Sequence, residues 1–332
     1  MAAPSTTERR SPSRTARTVN SLVFNGDDIH SAEEKIKIIA NWMASWTGKS
    51  GLTTEAGKKR SNPPGCRMTN LAMNRYSFIS HGAPTMVLDR ERGQQYSNWA
   101  QETGAAPDLI LVVSAHWETE DLRLGTDQSQ ELIYDFYGFP DELYKIQYPA
   151  PGAPEARKSL NSFLIEQGYS VELTDRGWDH GVWTPLSWLF PDANVPVLQI
   201  SIPAFSTRGL FELGQKLAAW KADGSVWLIG SGGLTHNLRA IDFSGNMPVP
   251  EPMQLFQDFI KDCLEKGDYN SILDYRKKAP HAAINHPSEE HFLPLIVVAG
   301  AASAAEQPTP NYKLDGFEFG SLSRVAIDFL PA

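Results

Sequence analysis

The stretch Leu109-Ile-Leu-Val-Val-Ser-Ala-His-Trp-Glu-Thr119 constrains this chain more than any other. It begins as an unbroken apolar, β-branched run, the pattern of a strand buried on both faces. It ends abruptly in Ser114, His116, Trp117 and Glu118. In an α/β protein, polar side chains at the carboxyl end of a buried strand stand at the mouth of a site.

Two further histidines share that context. His81 follows the short run Tyr76–Ser80, and His236 follows Ser225–Ile229 by a few residues. If the three strands run parallel, His81, His116 and His236 collect at one carboxyl edge. Neutral imidazoles suit Zn(II) and Fe(II), and three of them leave positions open for water, substrate or O2. His180, in Trp178-Asp-His-Gly181, is a fourth ligand or a proton-transfer residue, since an imidazole titrates near neutrality. His291, in His286-Pro-Ser-Glu-Glu-His291 near a helix start, could hydrogen-bond a substrate or serve as a cap or surface residue. Of the eight histidines, His30 and His281 have no chemical context and read as surface. Glu118 could complete a two-histidine, one-carboxylate set, but His236 already supplies a third ligand, so Glu118 is assigned to hydrogen bonding around the ligands. Asp89, Asp135 and Asp179 read as turn or solvated positions.

The remaining pattern alternates strands with helices. Strands are expected at Tyr76–Ser80, Leu109–Val113, Tyr169–Leu173, Val195–Ile202 and Ser225–Ile229. Helices are expected at Tyr96–Glu102, Pro154–Gln167, Trp183–Leu189, Thr207–Lys221, 251–266 and 287–302. This gives an α/β fold: a single large domain with a mainly parallel or mixed central sheet flanked by helices, and a metal site at the carboxyl edge of the strands. Gly82 and the Gly230, Gly232, Gly233 group permit positive φ or close backbone approach beside that site. Tyr137, Trp178 and neighbouring aromatics in loops offer walls for a planar ligand.

Before the domain, residues 1–30 read as a disordered tail, and 31–72 as an extension helix (opened by a capping box at Ser31–Glu34) and linker. The domain occupies 73–332. A net charge of −9 offers no basic face, so no nucleic-acid partner is expected. No apolar run approaches ~18 residues, so no membrane span is expected. Two cysteines are too few for a disulfide framework and fit a cytoplasmic protein, while Arg9, Arg10, Arg14 and Arg17 among serines leave a mitochondrial presequence as a second reading. The chain lacks His-Glu-x-x-His, Gly-x-Gly-x-x-Gly, the phosphate-loop pattern and Gly-x-Ser-x-Gly.

Several motifs occur in a telling order: Ser80-His-Gly-Ala-Pro84, Ser114-Ala-His-Trp-Glu-Thr119, Tyr134-Asp-Phe-Tyr-Gly-Phe-Pro140, Tyr148-Pro-Ala-Pro-Gly152, Trp178-Asp-His-Gly181, Gly230-Ser-Gly-Gly-Leu-Thr-His-Asn-Leu-Arg239 and His286-Pro-Ser-Glu-Glu-His-Phe292. Together they resemble class III extradiol ring-cleavage dioxygenases, in the DOPA 4,5-dioxygenase-like branch, over about residues 75–330. The resemblance implies a non-haem Fe(II) enzyme that opens a catechol with O2 to a muconic semialdehyde, although members of the branch are also described as containing zinc. It implies His81, His116 and His236 as ligands, His180 as a further ligand or the acid–base residue, and His291 as a substrate contact. The rival reading is a zinc-dependent hydrolase using the same histidines.

Overall fold

The computed structural model describes residues 74–331, apart from 103, 127, 129, 130, 245 and 246. The expected tail, extension helix and linker over 1–72, with His30 and Cys66, lie outside the described residues.

Eight strands form one sheet. They are β1 (Arg75–Ser80), β2 (Leu109–Thr119), β3 (Leu122–Leu124), β4 (Val171–Leu173), β5 (Val197–Pro203), β6 (Val226–Gly232), β7 (Thr309–Leu314) and β10 (Ala326–Leu330). Their order is β4-β3-β5-β2-β6-β1-β10-β7. The central four, β5, β2, β6 and β1, run parallel. Antiparallel strands flank them, with β3 against β5 on one side and β10 and β7 beyond β1 on the other. Strands β8 (Phe317–Glu318) and β9 (Leu322–Ser323) pair separately.

Side chains of β2 alternate between two apolar layers, as a strand buried on both faces requires. Ile110 and Val112 join Tyr96 and Trp99 of α1 (Arg90–Glu102) and Val182, Trp183 and Leu186 of α3 (His180–Leu189). Leu109, Leu111 and Val113 join the opposite layer. That layer includes α2 (Pro154–Glu166), α4 (Thr207–Ala219), α5 (Glu251–Lys266) and α6 (Leu293–Ala304). Helix α6 is apolar all round and buried from Leu293 to Ala302, the mark of a helix enclosed by its own domain. It meets α4 backbone to backbone. A Cβ on Gly214 would strike the Val297 carbonyl oxygen, and one on Gly300 would strike that of Phe211.

Element boundaries depart from the sequence expectation where the buried face is not apolar. Helix α1 starts at Arg90, six residues before the expected Tyr96, because its inner face continues as Arg92 and Gly93, and the Trp188 ring covers the glycine. Helix α3 begins at His180 rather than near Trp183. Helix α6 begins at Leu293, after a turn that occupies the expected first residues from 287. The C-terminal strands were not foreseen. In β10 the inward Asp328 interrupts the apolar pattern; it takes a bidentate contact from Arg75 (2.8 and 2.5 Å) and a hydrogen bond from Ser77 Oγ at 2.8 Å.

The glycine contact between α4 and α6 sets the sign of a test. On helix propensity alone, Gly214→Ala gains about 1 kcal/mol. Overpacking against the Val297 carbonyl costs about 1–3 kcal/mol. A net loss in urea unfolding is therefore expected, and a gain would mean that the helices do not meet there.

Candidate metal centre

The parallel register brings the three strand ends together. Ser80 of β1 aligns with Gly232 of β6, and Ser114 of β2 aligns with Ser231. His81 follows β1 directly, with its N–H donating to Gly232 O at 3.0 Å. Gly82 takes φ +66°, which glycine adopts without penalty. His116 lies within β2, at an irregularity. Val113 pairs with Ile200, and the next pair on that side is Glu118 with Ile202. Four residues of β2, Ser114 to Trp117, thus stand opposite Ser201 alone, and this bulge turns His116 toward the other imidazoles. His180 is the first residue of α3.

His291 comes from the turn before α6, which presses on β6. A Cβ on Gly232 would strike His291 O, and one on Gly230 would come within 2.6 Å of Pro294 O. The glycines after the β6 apolar run therefore serve close approach; neither is among the positive-φ glycines. His236 lies on the loop after β6, its N–H donating to Asn285 O at 3.0 Å.

Five of the expected side chains meet. Ring centroids are 5.0 Å apart for His81 and His116, 4.0 Å for His116 and His180, and 5.4 Å for His81 and His291. The His236 and His291 rings stack at 3.4 Å, within 5° of parallel. Three sets of potential ligand atoms each fall within 4.8 Å: His81, His116 and His291; His116, Asp135 and His180; and His236, Glu290 and His291.

Hydrogen bonds assign the ring nitrogens. Ser231 Oγ donates to Gly181 O, so it accepts from His81 Nδ1 at 2.9 Å, and His81 Nε2 keeps its lone pair. His116 Nδ1 lies 3.0 Å from Asp135 Oδ2, and His180 Nδ1 lies 2.7 Å from Asp135 Oδ1. His291 Nδ1 faces Glu290 Oε1 at 3.1 Å, which Ser288 Oγ also contacts at 2.8 Å. A carboxylate or hydroxyl on Nδ1 fixes the tautomer that presents Nε2 as a ligand.

These assignments bear on whether a metal fits. His81 Nε2 and His116 Nε2 stand 3.1 Å apart, close enough for one cation to bind both once neither carries a proton. At metal–nitrogen distances of about 2.05 Å, that 3.1 Å separation subtends about 100°, within reach of tetrahedral or octahedral geometry. His291 Nε2 is buried without a hydrogen-bond partner, as a vacant ligand position is. The residues fit a divalent metal. In the other two sets the carboxylate is hydrogen-bonded to Nδ1, which is an orienting role.

The electrostatics agree. Burial, reinforced by neighbouring histidines, holds His81, His236 and His291 well below the usual imidazole range, so all three are neutral at pH 7, the form a metal requires. Burial also opposes charge on His116, but Asp135 raises it. Burial alone would raise Asp135; His180 and His116 beside it hold it well below the usual carboxylate range.

Other expected residues lie elsewhere. Glu118 is exposed beyond the bulge; the carboxylates inside the cluster are Asp135 and Glu290. Trp178 is fully buried in the apolar layer with Trp183, and Tyr137 is 44% exposed. The aromatic ring that reaches the histidines is Phe136, edge-on to His180 at 5.7 Å. Asp179 is also buried. It accepts from Ser114 Oγ (2.6 Å), Gln199 Nε2 (2.7 Å) and Arg176 Nη1 (2.8 Å), while Arg176 Nη2 donates to His116 O at 3.0 Å. This network ties the β2 bulge to the start of α3. His281 is exposed, as expected.

His286 stands apart from the metal-facing set. Fully buried, it lies 2.9 Å from Leu234 O, and burial lowers it to about 4. The unfolded chain titrates near 6.5, so below that pH the unfolded state takes up a proton that the folded state refuses. Stability of the metal-free protein should be greatest above pH 6.5 and fall as pH drops toward 4. His286 contributes about 3 kcal/mol of that fall. Urea unfolding with chelator across this window measures it, and His286→Leu should flatten the slope.

Comparisons with known proteins agree with the geometry. Residues 77–327 match the family model described as the catalytic LigB subunit of aromatic ring-opening dioxygenase. The 4,5-DOPA dioxygenase extradiol of Beta vulgaris is 37% identical over 235 residues, covering 68% of this chain and 85% of the relative. The protein of that name from Escherichia coli K12 is 33% identical over 260 residues, covering 75% and 92%. A crystal structure of an uncharacterized protein from E. coli K12 superposes with a TM-score of 0.64 at 30% identity, covering 77% of this chain and 99% of that one.

Proposed function

This chain belongs to the family of catalytic LigB subunits of aromatic ring-opening dioxygenases, and on that premise we propose how its site performs extradiol ring cleavage. The substrate we infer is a catechol of the DOPA type, since the relatives named above carry that substrate in their names. The product is a muconic semialdehyde. One observation carries the reading: imidazoles from three parallel strand ends and two helix starts meet at one sheet edge, and ligand atoms of His81, His116 and His291 lie within 4.8 Å of one another.

His81 and His116 would hold the metal through Nε2, with a third imidazole from the stacked His236–His291 pair; of those two rings, His291 shares a ligand group with His81 and His116. Fe(II) held there would supply the redox chemistry toward O2, whereas Zn(II), with no redox chemistry, could only orient the substrate. His180 does the proton work. Its Nδ1 is committed to Asp135, so Nε2 is free to take a phenolic proton as the catechol binds and return it as the ring opens. Phe136 offers the apolar wall for the ring that the sequence reading sought in Trp178 and Tyr137. Thr184 Oγ1 donates to His180 O, which steadies the first turn of α3. The acidic composition and sparse cysteines support a cytoplasmic setting. Among the described residues, no helix is long and apolar enough to cross a membrane.

Oxygen uptake by the Fe(II)-reconstituted protein across a catechol panel tests the reading. A yellow product with O2 consumed in step with catechol is expected; no consumption with any catechol would sink it. His180→Gln should lower kcat by about 10²–10⁴-fold with metal still bound. His81→Ala should weaken metal binding by more than about 100-fold, beyond the loss typical of an orienting residue, in a chelator competition.

A further inference from the structure

Asp135 lies outside regular secondary structure, yet its carboxylate is 4% exposed. Its two oxygens serve two different rings. Oδ1 is 2.7 Å from His180 Nδ1 and also accepts from the His180 backbone N–H at 3.3 Å. Oδ2 is 3.0 Å from His116 Nδ1. The segment that carries it is fixed independently. Ile133 N donates to Trp178 O at 2.8 Å, Trp183 Nε1 donates to Ile133 O at 3.3 Å, and Tyr134 OH donates to Ile146 O at 2.6 Å. The Phe136 ring packs against Trp183 at 6.1 Å. The carboxylate therefore approaches both rings from a backbone anchored through other partners.

The other orienting groups act singly. Ser231 serves His81, and Glu290 serves His291. The Asp179–Arg176 network holds the backbone of the same bulge, with Arg176 on the His116 carbonyl rather than on its ring.

We propose that Asp135 is a positioning residue for two functions at once: a single carboxylate sets the tautomer and tilt of the ring that holds the metal, His116, and of the ring that moves the proton, His180. The proposal rests on the roles given to those two histidines above. It explains why a carboxylate is needed where a hydroxyl suffices for His81. Two ring nitrogens converge on one side chain, His180 Nδ1 by a hydrogen bond and His116 Nδ1 at ion-pair distance, and only a carboxylate offers an acceptor oxygen to each without carrying a donor of its own. Asparagine would keep one acceptor and turn a donor toward the other ring, so one imidazole should switch to the Nε2–H tautomer and lose its inward lone pair.

The test begins with the wild-type, metal-free protein. Nitrogen-15 NMR of labelled histidines should show His116 and His180 both as Nδ1–H tautomers; the Nε2–H form in either ring overturns the proposal. In Asp135→Asn, one of these signals should change tautomer while His81 and His291 keep theirs. Zinc affinity by chelator competition should then fall 10- to 100-fold, and kcat at saturating Fe(II) should fall at least tenfold. Wild-type tautomers in Asp135→Asn, or wild-type zinc affinity together with wild-type kcat at saturating metal, would also overturn it. A thermal melt of Asp135→Asn identifies misfolding, and the wild-type spectrum decides the matter even then. Full turnover by metal-loaded His180→Gln would remove the acid–base reading of that ring and leave the tautomer result standing.

Discussion

Five imidazoles at one sheet edge are tolerable only because the inner nitrogen of the deepest rings has somewhere to send its proton. A buried N–H without an acceptor costs about 1–3 kcal/mol. Here Ser231, Asp135 and Glu290 accept from His81, His180 and His291, and Asp135 Oδ2 stands 3.0 Å from His116 Nδ1. With Nδ1 of those rings occupied, their opposite nitrogens face the cluster, and His81 Nε2 comes within 3.1 Å of His116 Nε2. Much of the local architecture serves this arrangement: the β2 bulge, the glycines of β6 and the paired carboxylate at Asp135 all place acceptors or rings.

The fold was legible where burial and chemistry speak the same language. The apolar runs of β1, β2, β5 and β6 announced a sheet buried on both faces, and the histidines at three strand ends announced a shared edge. Legibility failed where a polar residue faces inward. Arg92 is buried on the inner face of α1 and pairs with Glu318, so the helix looked shorter than it is. Asp328, neutralised by Arg75, hid a strand of the main sheet. A period-based reading counts such residues as solvent-facing, since nothing in the local sequence names a partner some 250 positions away.

The site follows the same rule. The histidines carry their chemistry openly, and all five that were singled out meet. The groups that orient them do not. Asp135 sits among aromatics in a turn-like segment and Glu290 in a polar run before a helix; each is recognisable only from the ring it faces. Glu118 was conspicuous because it is two residues from His116, but in a strand that spacing is no guide once a bulge intervenes. The family match spans residues 77–327, the region in which these elements lie.

The close seating of the α6 turn on β6 also has a bearing on when the metal can enter. His81 emerges early from the ribosome, and His291 follows roughly 200 residues later, ~10–40 s at ordinary rates of synthesis. Until the last helix docks through Gly230 and Gly232, the nascent edge offers at most part of a ligand set. A full ligand set would therefore assemble only once α6 has docked, and until a metal bound, the buried neutral rings would be held in place by the orienting groups alone.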